Sequence, residues 1–203
     1  MNIGIVNYSI GNVGSVYSAL EFYHYNVRLV DEPQVIKNSD LIVLAGVGNF
    51  STATSRLKNL KLWETIDYYV REKKKPLLGI CLGMQLFADS SSEGGNNPGF
   101  GWIKGRVKKL EGKDIQVPHM GWSKVEPAGT KLFHGLRYGF FYYMHSYHFV
   151  PDDPKVILAK TPYGMADLVA CVKKENIIGV QFHPEKRQGD GLRFLKNAIE
   201  ELL

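Results

Sequence analysis

The chain has 203 residues, 44% of them hydrophobic, which is enough to bury a real core and predicts one domain over residues 1–203. No apolar stretch approaches the roughly 20 residues that span a bilayer, and Met1-Asn2-Ile3-Gly4-Ile5-Val6 leads directly into a strand instead of a secretion signal. The formal net charge of +5 is dispersed along the chain, so it points to no nucleic acid.

Apolar runs at Ile3 to Val6, Val27 to Val30, Leu41 to Leu44 and Leu77 to Ile80 predict four strands. Between them Val13, Val16, Tyr17 and Leu20 recur at helical spacing, and Leu57, Leu60, Trp63, Ile66 and Val70 do so in a second pattern. Strand and helix in alternation predict βαβ units on a parallel sheet. Lys73-Lys74-Lys75 reads as a solvated helix end, where cations complement the dipole. Asp89 to Gly101, rich in Ser, Gly and Asn, is one long loop that by composition alone could be disordered. From Phe100 the texture turns to short β segments, Trp102 to Val107 and Phe140 to Tyr143. Strands follow at Val156 to Lys160, Asp167 to Val172 and Ile177 to Phe182, and an amphipathic helix closes the chain over 192–203. The fold class is α/β: an open, mixed but mostly parallel sheet flanked by helices, with a smaller β-rich second half.

Residues 79 to 85 read Gly-Ile-Cys-Leu-Gly-Met-Gln and follow the fourth strand. Gly-x-Cys-x-Gly at a strand-to-helix turn is the pattern of a nucleophile elbow, in which larger flanking side chains would collide and the Cys81 sulfur is left exposed at the sheet edge. A helix N-terminus there lowers the thiol's pKa. A lone cysteine is more often a small core residue, and Cys171 in Leu168-Val169-Ala170-Cys171-Val172 fits that description. Cys81 does not, since glycines two positions to either side have no packing reason in a buried strand. Far down the chain, a strand runs into Gln181-Phe182-His183-Pro184-Glu185. A strand end in an open parallel sheet is where such folds put their chemistry. Cys81, His183 and Glu185 thus supply a nucleophile, a base and a carboxylate to orient it. The thiolate role implies a reducing, cytoplasmic compartment. No grouping has zinc-ligand spacing and no Gly-rich loop has P-loop form, so neither metal nor nucleotide cofactor is expected.

Over essentially its whole length the chain resembles the class I (triad) glutamine amidotransferases. The resemblance is carried by Tyr8-Ser9-Ile10-Gly11-Asn12-Val13, Ala45-Gly46-Val47-Gly48-Asn49-Phe50 and the Cys81 elbow. It continues through Pro118-His119-Met120-Gly121-Trp122, Tyr143-Met144-His145-Ser146-Tyr147 and Gln181 to Lys186. The Pro-His-Met-Gly-Trp and His-Ser-Tyr segments narrow it to the branch that feeds ammonia to a (β/α)8-barrel cyclase in histidine biosynthesis. The resemblance implies hydrolysis of L-glutamine through a Cys81 thioester, with the oxyanion held by the Leu82 N–H and the Gly46-Val47-Gly48 loop. It further implies that Gln85, Glu93, His145, Ser146 and Tyr147 bind glutamine, although spacing alone would leave Glu93 a solvated loop carboxylate. Ile10, Met120, Trp122, Tyr142 and Lys186 are implied to meet the cyclase, although Trp122 could equally be core.

Three positions depart from the family pattern. Ala45 stands where proline is usual, Ser9 where glycine is usual, and Arg187 where serine is common. Alanine frees φ and restores an N–H, so a more mobile oxyanion loop is expected. Two other readings stay open at this point. One is a paralogue that supplies ammonia to amidate a surface-polysaccharide sugar, and the other a non-catalytic interaction subunit on the same fold.

Overall fold

The strands at the centre of the molecule are those composed of apolar residues and glycine, because a parallel sheet covered on both faces keeps none of its side chains in water. The structure, a computed structural model, describes residues 1–11, 13–112 and 114–203, so Asn12 of the Tyr8–Val13 segment lies outside the described residues. In chain order the first half runs β1 (Asn2–Val6), α1 (Val13–Glu21), β2 (Asn26–Val30), α2 (Pro33–Asn38), β3 (Leu41–Gly46), α3 (Phe50–Asn59), α4 (Leu62–Arg71), β4 (Leu77–Cys81) and α5 (Leu82–Gln85). The second half runs β5 (Ser90–Ser91), β6 (Asn97–Pro98), β7 (Gly105–Lys109), β8 (His119–Lys124), β9 (Glu126–Pro127), β10 (Phe140–His145), β11 (Tyr147–Pro151), β12 (Ile157–Tyr163), β13 (Ala166–Lys174), β14 (Ile177–Val180) and α6 (Asp190–Leu202).

Among the described residues, eight strands form the main sheet in the order β2-β1-β3-β4-β14-β13-β12-β9. It is parallel from β2 to β14 and antiparallel beyond. Side chains alternate along each strand. Ile3, Ile5, Leu41 and Val43 therefore pack with Val16, Leu20, Phe194 and Ile199 of α1 and α6. Val6, Ile42, Leu44 and Leu77 pack on the opposite face with Ile36, Leu57 and Ile66 of α2, α3 and α4. Two smaller sheets, β8 with β10 and β11-β7-β5-β6, make up the β-rich remainder. Among the described residues no helix is long and apolar enough to cross a membrane.

The structure corrects the sequence reading where chain reach or polar bonding overrides periodicity. The pattern from Leu57 to Val70 is split between α3 and α4 at Lys61, whose φ is 57°. A continuous helix over 50–71 would be about 33 Å long, whereas five-residue strands offer about 17 Å to cover. α2, not foreseen, is opened by Pro33 at its first turn. β12 runs on past Lys160 through Pro162, which is tolerated because the neighbouring β9 pairs only with Ala159 and Lys160. Trp102 and Ile103 are buried core residues, not strand, with Phe100 stacked between Trp63 at 3.7 Å and Trp102 at 4.2 Å. The 89–101 loop is ordered by its own polar groups: Asp89 accepts from the Gly105 N–H at 2.9 Å, and Asn97 donates to the Glu93 carbonyl at 2.8 Å. Lys75 is no solvated helix end, since its ammonium donates to the carbonyls of Ile36, Lys37 and Ser39 at the end of α2.

Candidate active site

β4 delivers Cys81 at the carboxyl edge of the sheet with φ 54° and ψ −107°, a conformation that persists only when the surroundings dictate it. The surroundings are two close approaches that admit only glycine. A Cβ on Gly79 would stand 2.5 Å from the Phe87 ring, and one on Gly83 would stand 1.7 Å from the Leu44 carbonyl oxygen. The helix that follows is a single turn, so its field at the sulfur comes from few peptide dipoles.

His183 reaches the same edge just beyond β14, anchored by its N–H to the Tyr142 carbonyl at 2.9 Å. Its side chain is buried, and Nδ1 lies 2.8 Å from Oε1 of the equally buried Glu185. Among the described residues, Nε2 and the second Glu185 oxygen meet no other nitrogen or oxygen partner. Burial by itself would push the imidazole down. The charge and hydrogen bond of the Cys81 sulfur, and then Glu185, reverse this and hold it at about 10. His183 therefore carries a proton at neutral pH, with the Glu185 carboxyl against its Nδ1.

A cavity of about 400 Å³ opens beside Cys81. Its walls include Gly48, Leu82, Gln85, Glu93, His145, Ser146 and Tyr147, so the structure gathers every residue of the expected glutamine set around the nucleophile. The Gln85 amide nitrogen donates to the Tyr147 carbonyl at 2.7 Å and to Gln181 at 3.1 Å. Glu93 is not a free loop carboxylate: Oε2 accepts the Phe50 N–H at 2.8 Å, at the start of α3. Burial raises its pKa, against the lowering by Phe50 and the Asn49 side chain.

The oxyanion segment begins on the sheet. Gly46 pairs with Cys81 in the β3–β4 register, and Ala45 pairs with Ile80. Alanine in place of proline can stay in the ladder, so β3 runs two residues beyond its predicted end and the expected looser loop begins only at Val47. Gly48 has φ 119° and lines the cavity. Leu82, as the first residue of α5, has one of the N–H groups that a helix start leaves without an internal acceptor.

The five expected partner-facing residues divide. Met120 and Trp122 are 57% and 50% exposed, which removes Trp122 from the core. Lys186 is exposed, with its ammonium 4.4 Å from the centre of the Tyr142 ring. Ile10 is nearly buried in the core and stands against Gly48. The departures find local explanations. Ser9, where glycine is usual, has φ 58°, and Arg56 donates to its carbonyl. The Arg187 guanidinium lies 5.4 Å from the Trp122 ring and 5.5 Å from that of Tyr138.

Three neighbours of the site stand in the motifs that carry the resemblance without a role expected of them. Gln181, fully buried, donates to the Cys81 sulfur at 3.5 Å. Its place two residues before His183 in extended chain puts it on the same side, a signal that was available. The Tyr8 hydroxyl, fully buried and without a hydrogen-bond partner among the described residues, sits where a Cβ on Gly46 would be, at 2.0 Å. Burial, and then the charge of Cys81, raises its pKa. The third is His119, buried behind the His145 wall. Among the described residues no group of three or more His, Cys, Asp and Glu side chains is placed to hold a metal.

Comparison with known proteins gives one family. The model for glutamine amidotransferase class-I matches residues 5–202. A Pyrococcus furiosus protein named imidazole glycerol phosphate synthase subunit HisH is 45% identical over 197 residues, covering 96% of both chains. The Pelagibacter ubique protein of the same name is 38% identical over 207 residues, covering 98% of this chain and 99% of its own. Among solved structures, a crystal structure of a glutamine amidotransferase superposes with a TM-score of 0.74 at 19% identity, covering 97% of this chain and 98% of its own, a likeness of fold.

Proposed function

We propose that this chain, which belongs to the glutamine amidotransferase class-I family, is the glutaminase subunit of an imidazole glycerol phosphate synthase, hydrolysing L-glutamine to glutamate and ammonia for histidine biosynthesis. The observation that carries the reading is His183, held between the Cys81 sulfur and the Glu185 carboxylate, with Cys81 itself lining a cavity roomy enough to admit an amino acid.

The Cys81 thiolate attacks the side-chain amide carbon of glutamine, and the oxyanion is met by the Leu82 N–H and the Gly46-Val47-Gly48 segment. His183 gives its proton to the departing nitrogen, ammonia leaves, and a thioester remains. Water then attacks the thioester while His183 takes its proton, and glutamate is released. Glu185 fixes the imidazole tautomer and offsets its positive charge. Glu93 takes the substrate ammonium. Gln85 has both amide donors committed, so it offers only Oε1, and His145, Ser146 and Tyr147 form the opposite wall.

The partner is a (β/α)8-barrel cyclase bound as a heterodimer in the cytoplasm, into which the ammonia passes. Met120, Trp122, Tyr142 and Lys186 form its docking patch, with Ile10 behind the oxyanion segment. That segment rests with its donors turned away, and partner plus acceptor substrate completes it. Steady-state glutaminase assays of the chain alone, with the cyclase, and with cyclase plus acceptor test this. The rate should rise by orders of magnitude across the three, mostly in kcat, and equal rates would overturn the coupling.

A further inference from the structure

β8 and β10 pair antiparallel with His119 opposite His145 and Trp122 opposite Tyr142. Side chains alternate across a strand, so β8 turns Met120 and Trp122 outward and His119 and Ser123 inward. The His119 ring is stacked against Tyr143 at 4.5 Å and Tyr163 at 3.9 Å. Nδ1 of His119 lies 3.1 Å from Nε2 of His145, and Nε2 of His119 lies 2.8 Å from the Ser123 hydroxyl. Nδ1 of His145 lies 2.9 Å from the Tyr147 carbonyl oxygen.

One carbonyl fixes every proton in this row. The Tyr147 oxygen can only accept, so Nδ1 of His145 bears the hydrogen. Burial pushes His145 down to about 3, with the adjacent His119 adding to the effect, and burial pushes His119 down to about 4. A neutral imidazole has one donor and one acceptor. Nε2 of His145 is then an acceptor, Nδ1 of His119 donates to it, and the Ser123 hydroxyl donates to Nε2 of His119. The Tyr147 oxygen also receives the Gln85 amide, so the segment 145–147 is held from the nucleophile side and from β8.

We propose that His119 is a positioning residue for glutamine binding: its hydrogen bond to His145 holds the His145-Ser146-Tyr147 wall in the shape that accepts substrate. His119 does not line the cavity and touches no reacting atom. Without its donor, Nε2 of His145 is a buried acceptor with no partner, and the ring relieves this by turning, which releases the Tyr147 carbonyl. Such a loss weakens substrate and transition state alike, so it appears in KM and leaves kcat in place. The inference rests on the reading of this cavity as the glutamine site.

Glutamine hydrolysis by the full chain assembled with its cyclase partner tests it through three substitutions. H119F keeps a ring between the tyrosines and removes both hydrogen bonds. H119Q puts an amide near Nε2, keeping the Ser123 bond and losing the one to His145. H119N puts a donor near Nδ1 and gives up the stacking. KM should rise about tenfold in H119F and H119Q, as expected for an unsatisfied buried acceptor, with kcat within about twofold, and H119N should restore most of the affinity. Wild-type KM in H119Q, or damage in H119N greater than in H119F, would make His119 a packing residue and overturn the proposal. If H119F melts below the assay temperature, the contrast between H119Q and H119N decides alone. E93Q separates the two levels. If it raises KM while H119Q does not, this inference falls by itself, and if it too leaves KM unchanged, the glutamine-site reading falls.

Discussion

The Cys81 elbow and the β8–β10 ribbon stand at the same end of the molecule and are held in opposite ways. The elbow lies at the edge of a sheet buried on both faces, and its neighbours leave no room for a side chain: the Leu44 backbone against Gly83, and the Phe87 ring with the Gly83 backbone against Gly79. The ribbon has one dry face, with His119, Tyr143 and His145, and one wet face, with Met120 and Trp122. Position at the elbow is dictated by sterics that admit no alternative. Position on the ribbon is dictated by hydrogen bonds and ring stacking, which can be exchanged. On the proposed function the nucleophile belongs to the first, and His145 of the second lines the cavity beside it. The ribbon is tied to His183, the base beside the elbow, by the His183 N–H to the Tyr142 carbonyl.

The contrast breaks most completely at the nucleophile. Cys81→Ala should leave the fold intact and lower glutamine turnover by on the order of 10⁴-fold or more, read as glutamate release with the partner present. Turnover near wild type would remove Cys81 from the mechanism.

Gly83→Ala tests the steric half. Its methyl would meet the Leu44 carbonyl at 1.7 Å, so the chain should lose about 3 kcal/mol or more of stability, visible as a lowered Tm. An unchanged Tm would mean that the elbow yields.

Glu185→Gln acts on charge and leaves shape in place. Turnover should fall roughly a hundredfold or more with little change in KM. The pH dependence has a definite sign. The folded-state imidazole is held above its ordinary value, at about 10, so its contribution to stability is complete below about 6.5 and is lost as pH rises through 10. The substitution removes one of the groups that hold the proton. The alkaline fall in both stability and kcat/KM should therefore move to lower pH, and a profile that stays in place would separate Glu185 from the histidine.

Trp122→Ala concerns the wet face alone. It should weaken cyclase binding by about 2 kcal/mol, roughly thirtyfold in Kd, while the melting temperature of the isolated chain stays the same. A loss of stability without a loss of affinity would return Trp122 to the core.

Sequence by itself determined the parts whose physics is local. Apolar runs at Leu41 and Leu77 read as buried strands, Gly79 and Gly83 flanking Cys81 read as a turn that excludes side chains, and His183 with Glu185 two residues on needed no distant partner to be read together. Where the outcome depends on what arrives from elsewhere in the chain, only the tertiary structure decided it. Lys75 became an anchor because the end of α2 offers three carbonyls, and Ile10 joined the core cluster that its neighbours in the fold supply. The helical pattern across Leu60 broke because the strands below are short. The side of the strand that Gln181 faces was legible from His183, but its bond to Cys81 and that of His119 to His145 join residues 100 and 26 positions apart. A side chain's own chemistry is legible one residue at a time, whereas a hydrogen bond across such separations exists only after the sheet has closed and brought donor and acceptor within about 3 Å.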